Sequence, residues 1–514
     1  MDTQIIKPIA VGDLHITRFT IEHFPGDALG IPTATPRMNW TYSRTVPDGS
    51  QILLKISRRI PGAQAREEYT YLPPEDNVLV PWQFTPLASR EEVFATVQLV
   101  SAAHKPLSDP SATLHFEAGL MQEYEHVADF VGPSWAEPET DHRHLPLVRT
   151  EIAIKAKPKR ARLYLSALGL VEAEINGVKI GNDALIPGWT NYEQRVQCWT
   201  YDVTDELNEG ANAMGFWLGD GWYRGRLGFD GGYVNYYGDR LGVFAQLEIE
   251  YEDGGIEHVY SNAWDRQWKA SLGPIVCSDL CEGERYDARL EQPGWSEPGF
   301  DDSNWKPVSE IFYDPAKIEN PDTSPVRAHE INEPVSIART GDTPDGRGIW
   351  LVDFGQNCTQ RIRLRIAGLE AGQSVELHHV EVLEPNGEIA TRTLRRGQQH
   401  DIYTSNGTDA WWEPRFAMHG FRYAQIEGVV GELTVADIEC HVYHSVMDRA
   451  GELETSNPLL NRLHANALWS MRSNFVSVPQ DCPQRDERMG WTGDICLFAP
   501  TAAYLYDVLS LIHI

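Results

Sequence analysis

The residues best equipped for chemistry crowd into one stretch, Asp481-Cys482-Pro483-Gln484-Arg485-Asp486-Glu487-Arg488-Met489-Gly490-Trp491-Thr492-Gly493-Asp494. Its fourteen residues hold four carboxylates, two arginines and an indole. A glycosidase needs one carboxylic acid to protonate the leaving oxygen and a second carboxylate to activate water or attack the sugar. It also needs polar groups for the sugar hydroxyls and an aromatic face for the C–H surface of the ring. Asp481, Arg485, Asp486, Glu487, Arg488 and Asp494 cover the carboxylate and polar requirements, and Trp491 the aromatic one. An arginine beside a carboxyl lowers its pKa, so a general acid in such company must owe its proton to burial or to neighbouring carboxylates. The same composition also suits a solvated, charge-laced turn between two helices.

The elements that must position this stretch read as strands up to about residue 440. Apolar and polar residues alternate in Arg162-Leu163-Tyr164-Leu165, in Val243-Phe244-Ala245-Gln246-Leu247-Glu248-Ile249 and in Arg361-Ile362-Arg363-Leu364-Arg365-Ile366. Turn signals such as Asn176-Gly177, Asp253-Gly254-Gly255, Pro385-Asn386-Gly387 and Asn406-Gly407 separate such segments. The pattern predicts antiparallel strands with one buried face, hence sandwiches or jelly rolls, and disfavours a doubly wound α/β fold. Composition and turn clusters suggest breaks near residues 132–144, 314–325 and 443–457. After the last break the period changes: Leu459/Leu460, Leu463, Ala467 and Met471 recur at helical spacing. Ser456-Asn457-Pro458 supplies a cap and a first-turn proline. A second helical segment runs from about Trp491 through Tyr504.

Other fragments carry less. Asp353-Phe354-Gly355 lacks the catalytic and glycine-rich loops of a kinase, and the glycine-rich run from Gly219 to Gly228 lacks the Gly-Lys-Ser/Thr ending of a phosphate loop. His378 and His379 are neighbours in a strand pattern, so they face opposite sides and cannot chelate one metal together. Asn357-Cys358-Thr359 and Asn406-Gly407-Thr408 fit a glycosylation sequon, which matters only for a secreted chain.

The chain has 514 residues, 42% of them hydrophobic and 23% charged, with 16 Trp, which describes a folded multidomain protein. A net charge of −30 argues against nucleic acid or anionic membrane as a partner. Seven scattered cysteines, with Cys277 and Cys281 the one close pair, suggest neither a disulfide framework nor a zinc ribbon. The first thirty residues show no secretory pattern and no run reaches membrane-span length, so a cytoplasmic location is expected.

The stretch 481–494 resembles the signature of bacterial and fungal α-L-rhamnosidases of the inverting type. The resemblance extends through the chain in family order. Ala28-Leu29-Gly30-Ile31 with Pro36-Arg37-Met38-Asn39-Trp40 is similar to the N-terminal immunoglobulin-like module. Leu168 through Gly177, Pro187-Gly188-Trp189-Thr190-Asn191-Tyr192 and Leu218-Gly219-Asp220-Gly221-Trp222-Tyr223 are similar to the accessory jelly-roll domain. Asp353-Phe354-Gly355-Gln356-Asn357, Glu381-Val382-Leu383 and His419-Gly420-Phe421-Arg422-Tyr423 resemble the concanavalin-like domain. The implied architecture is mainly β: an immunoglobulin/fibronectin-like sandwich over 1–128, the jelly roll over 129–316, the concanavalin-like domain over 317–445, and over 446–514 the first helices of an (α/α)6 toroid of six hairpins.

The resemblance implies that Glu487 is the general acid, that Asp481, Arg485, Trp491 and Asp494 hold the rhamnose, and that cleavage inverts the anomeric carbon. The implied partners are rhamnose-containing glycosides. No cofactor or metal site is implied, apart from calcium, which the jelly roll binds with rhamnose in some relatives and which no residue here can be assigned to. The general base of the family comes from a later loop of the toroid, and twelve helices of about 11–12 residues need on the order of 140 residues. The chain supplies far fewer beyond Ser456, and its ending over 508–514 looks unlike the family's. The expectation is a catalytically impaired, C-terminally truncated chain with uncovered apolar helix faces over 456–508. The alternatives are a rhamnoside-binding fragment without turnover, or another inverting glycosidase on the same toroid.

Overall fold

A computed structural model describes residues 14–22, 24, 26–138 and 142–508. Residues 1–13 and 509–514, on which the expectations about a leader and an unfamiliar ending partly rest, lie outside the described residues. Among the described residues strands dominate, and the two long helices come last. The chain forms two compact units. The first runs to Glu125 and takes in Asp253–Ile256 and Glu319–Asp322; the second holds the rest.

In the first unit, Ser50–Arg59 lies between Arg66–Leu72 and Glu92–Ser101, and Leu114–Ala118 and Ala28–Ile31 complete a five-stranded sheet. Alternation sends Ile52, Leu54, Ile56, Val93, Ala95, Val97 and Leu99 inward, onto Ile21, Met38 and Trp40 of a separate two-stranded sheet. This is a sandwich core made by period-two patterning.

The second unit carries two eleven-stranded sheets. In the first, Arg160–Leu168 and Gly242–Glu250 pair antiparallel along their whole lengths, and every residue of both is buried. The expectation of one buried face is therefore corrected for these strands. Their polar positions are covered and partnered: Gln246 Oε1 accepts from the Val127 N–H at 3.0 Å, and Arg162 pairs with Asp202 at 2.8 Å. Residues 362–366 do alternate, with Ile362, Leu364 and Ile366 in the core and Arg363 and Arg365 outside it, but Arg361 is buried and its Nε donates to the Ala417 carbonyl at 2.7 Å.

That segment belongs to the central strand of the second sheet, Gly348–Ile366. Its neighbours are His419–Val429, Ile438–Ser445 and Ser336–Asp342. Beyond His419–Val429 come Ser374–Val380 and His400–Thr404. The Asp353-Phe354-Gly355 fragment is a bulge in this strand: the register shifts between Asp353 and Cys358, and Gly355 takes φ 74°. Both Asp353 carboxylate oxygens accept from Arg422 at 2.8 Å, so the fragment is structural.

The helix Pro458–Asn474 begins where the cap signal places it, with Asn457 Oδ1 accepting from the Leu459 N–H at 2.9 Å. Its apolar stripe is only partly used. Met471 is buried with Phe475 against Ala502, Leu505 and Tyr506 at the end of the second helix, Thr492–Leu505. Leu459, Leu463 and Leu497 are 77%, 64% and 86% exposed, so the apolar faces lie uncovered as expected.

Two histidines of the second sheet stack face to face, His329 on His444, with ring centroids 3.6 Å apart. His444 Nδ1 donates to the Ser445 carbonyl at 2.7 Å. Burial, reinforced by His329, holds His444 down to about 3. A proton is thus taken up by the unfolded chain below its ordinary value of about 6.5 but refused by the folded one, so the contribution to stability is full above 6.5 and is lost as pH falls toward 3. His444→Phe keeps a stacked ring without the titration. Urea unfolding at pH 7.5 and pH 5 should show the parent losing about 1–2 kcal/mol more than the variant over that interval.

Candidate active site

The site is built on the segment after the first helix. Phe475–Val476 turns back against Val478–Pro479 through Ser477, at φ 66°. Ser477 is held twice: its N–H donates to Ser445 Oγ at 3.1 Å, and its Oγ accepts from the Trp189 N–H at 2.8 Å. Residues 481–489 then form a closed loop. The Asp481 N–H donates to the Met489 carbonyl at 3.0 Å, and the Met489 N–H donates to Asp481 Oδ1 at 2.8 Å.

This loop lies directly on the second sheet, and two glycines make the approach possible. The Gly420 N–H donates to the Pro483 carbonyl at 3.0 Å, and a Cβ at 420 would stand 2.7 Å from Pro483 Cγ. A Cβ at Gly397 would stand 3.0 Å from the Asp486 nitrogen. Either position with a side chain would push the loop off its support.

Along Arg485-Asp486-Glu487-Arg488 alternate side chains take opposite directions. Asp486 and Arg488 turn into the protein, which corrects their reading as sugar-handling groups. Asp486 is fully buried and accepts from the Gly231 N–H at 2.9 Å and the Arg396 N–H at 3.4 Å. Arg488, at φ 50°, donates to the carbonyls of Leu280, of Met418 at 2.6 Å, of Gln484 at 3.3 Å and of Arg485 at 3.2 Å. Both are anchors of the loop.

Arg485 and Glu487 point the other way and meet. Arg485 Nη2 stands 3.0 Å from Asp481 Oδ2 and 3.0 Å from Glu487 Oε2, while its Nε donates to Cys482 Sγ at 3.2 Å. The Trp491 indole N–H donates to Glu487 Oε1 at 2.8 Å. The structure thus brings together Asp481, Arg485, Glu487 and Trp491 in one hydrogen-bonded chain. Asp494 stands outside it, exposed in the first turn of Thr492–Leu505.

Arg395 was not legible in the sequence as part of this group. It sits just after the turn Thr391–Leu394, at φ 56°, and its Nη1 reaches Glu487 Oε2 at 2.9 Å. Nothing in a linear reading ties it to a residue 92 positions away. The paired arginines Arg395-Arg396 before Gly397 are the only local signal.

Charge in the site is balanced by these contacts. Burial works against the Arg485 cation, but Asp481, Cys482 and Glu487 outweigh it and raise the guanidinium further above its usual range. Burial, with the Asp481 carboxylate beside it, pushes the Cys482 thiol up to about 11. Cys482 is therefore a neutral thiol near pH 7 and not a nucleophile. The donor atoms of Asp481, Cys482 and Glu487 lie within 4.8 Å of one another, but Arg485 already supplies their positive charge.

The chain matches four domain families of one kind of enzyme. They are a Rha78A-like N-terminal immunoglobulin domain over residues 16–122, the alpha-L-rhamnosidase N-terminal domain over 156–330, the bacterial alpha-L-rhamnosidase concanavalin-like domain over 343–444, and the bacterial alpha-L-rhamnosidase 6 hairpin glycosidase domain over 448–513. An alpha-L-rhamnosidase of Streptomyces avermitilis is 45% identical over 359 residues, covering 68% of this chain and 33% of the relative. The crystal structure of native α-L-rhamnosidase from Aspergillus terreus superposes with TM-score 0.89 at 38% identity, over 97% of this chain and 57% of that one. A Streptomyces avermitilis alpha-L-rhamnosidase complexed with L-rhamnose gives TM-score 0.86 at 29% identity, over 96% of this chain and 63% of that one. These relatives are α-L-rhamnosidases, hence glycoside hydrolases. The chain belongs to the bacterial α-L-rhamnosidase family, and it spans between a third and somewhat under two thirds of the length of these relatives.

The two faces of the loop separate experimentally. Arg488→Met strands several buried carbonyls and should cost on the order of 3 kcal/mol. Arg485→Met, on the open side, should cost less than about 1 kcal/mol. Urea unfolding of both variants measures the difference, and equal losses would contradict the assignment of Arg488 as the anchor.

Proposed function

We propose that this chain carries the acid half of an inverting α-L-rhamnosidase site, which cleaves terminal non-reducing α-L-rhamnose from glycosides. The observation that carries the reading is Glu487, gripped by Arg485, Arg395 and the Trp491 indole at the mouth of the loop. Glu487 protonates the departing glycosidic oxygen. The carboxylate left behind gains negative charge beside two guanidinium groups, which stabilise it as the bond breaks. Asp481 orients Arg485, and Trp491 offers its partly exposed face to the sugar ring. Asp494, exposed nearby, takes a sugar hydroxyl.

An inverting reaction also needs a second carboxylate, roughly 6.5–9.5 Å from the acid, to activate water on the opposite face of the sugar. We assign that group to further helical hairpins of the full-length enzyme, packed on the exposed apolar faces of Pro458–Asn474 and Thr492–Leu505. The 514-residue chain alone should then be inactive, and a longer one carrying those hairpins active; turnover of nitrophenyl α-L-rhamnoside by the 514-residue chain would overturn this.

In the longer enzyme, Glu487→Gln should lower kcat about 10²–10⁴-fold on a flavonoid rhamnoside. The loss should be much smaller on the nitrophenyl rhamnoside, whose leaving group departs without a proton. Equal losses on both would remove Glu487 from the acid role. Arg395→Ala should reduce kcat by about tenfold or more with little change in KM, because its charge matters most once the proton has left. Steady-state kinetics on the flavonoid rhamnoside read both quantities.

A further inference from the structure

The sequence separates His378 from His379 onto opposite faces of one strand, and the structure gives each its own surroundings. His379 is fully buried with Asp401 and His419. His378 faces outward, into a cluster that the α-L-rhamnosidase chemistry does not use. Glu376 and His378 are two residues apart on Ser374–Val380, hence on one face. Across one side of that strand His378 pairs with His400; across the other, Glu376 pairs with Glu427. Three adjacent strands therefore present two imidazoles and two carboxylates on one face; the donor atoms of Glu376, His378 and His400 all lie within 4.8 Å of one another, and Glu427 stands beside His378.

The distances suit one ion. His400 Nε2 lies 3.0 Å from Glu376 Oε2, and His378 Nε2 lies 3.9 Å from the same oxygen and 3.7 Å from Glu427 Oε1. A tetrahedral zinc site with bonds of about 2.0–2.1 Å has edges of about 3.3 Å, so small side-chain movements bring Glu376, His378 and His400 around one ion. The two rings are stacked at 4.0 Å and 17°, with both Nε2 atoms turned toward Glu376. Gln425 Nε2 donates to Glu427 Oε1 at 2.7 Å, a contact that orients the carboxylate from behind. All four side chains are partly exposed, between 17% and 42%, so an ion enters from solvent without opening the fold.

We infer that Glu376, His378 and His400 form a divalent transition-metal site, best matched to zinc, that ties two strands of the concanavalin-like sheet together. Two nitrogen donors disfavour calcium and magnesium, which take oxygen ligands. Three protein ligands leave the fourth position of a tetrahedral zinc to solvent, with the Glu427 carboxylate beside His378.

The test uses the 514-residue chain with Cys496→Ser, which removes the exposed thiol, after treatment with EDTA. Calorimetric titration with zinc chloride should give one equivalent bound, and cobalt(II) should give the visible absorption of a four-coordinate site. Zinc should raise the unfolding temperature. His378→Asn and His400→Asn should each weaken zinc binding more than about tenfold, since even outer-shell partners of a metal are worth that much. Both variants should unfold at the parent's temperature in EDTA. If either unfolds early, Glu376→Gln decides the matter through the same tenfold criterion. Zinc binding unchanged by these substitutions, or no binding at one equivalent, overturns the site and leaves a stacked histidine pair with two ion pairs.

Discussion

The buried guanidinium of Arg488 is the interaction on which the candidate site depends. A charge cannot leave water without partners, and Arg488 finds them in carbonyls of Leu280, Met418, Gln484 and Arg485. Two of those carbonyls belong to the loop and two to residues adjoining strand ends far away in sequence. One side chain thereby fixes the shape of the loop and its place on the sheet together. Asp486 repeats the arrangement with opposite sign, accepting from backbone N–H groups of Gly231 and Arg396. With its alternate residues sunk in this way, the loop has no choice but to hold Arg485 and Glu487 outward.

The consequence is a carboxylate positioned from three directions by groups of different origin. Arg485 comes from the loop, Trp491 from the entry to the last helix, and Arg395 from a turn of the concanavalin-like domain. The β domain is thus more than a scaffold under the helices, since it lends a cation to the carboxylate that the proposed mechanism uses. The glycines at 397 and 420 belong to the same construction, because without them the β domain could not come close enough to lend it.

Much of this was legible in advance, for reasons that are local. Asn457 and Pro458 mark a helix start through hydrogen-bond and φ requirements that need no tertiary context. Alternation over residues 362–366 places them correctly because that stretch has one covered face, whereas Arg361 just before it is buried on the Ala417 carbonyl. The same logic misplaces the faces of Arg160–Leu168 and Gly242–Glu250, where polar residues are buried with partners that only the packed sheets supply. Helical spacing identifies Leu459, Leu463 and Met471 as one stripe, but it cannot say that Met471 is covered and Leu459 exposed.

The sequence by itself determined the mainly β architecture, the change to helices near residue 456, the family resemblance, and the cluster containing Asp481, Arg485, Glu487 and Trp491. These features arise from short-range periodicity, capping chemistry and residues close together along the chain. The tertiary structure alone decided which charges of that cluster meet on the open side of the loop and which are buried as its anchors. It also left Asp494 exposed outside the hydrogen-bonded group, brought Arg395 onto Glu487, and divided His378 from His379 between an open cluster and a buried one. Those outcomes turn on which backbone carbonyls and side chains arrive from distant segments, and direction along an irregular loop is fixed by such partners and not by spacing.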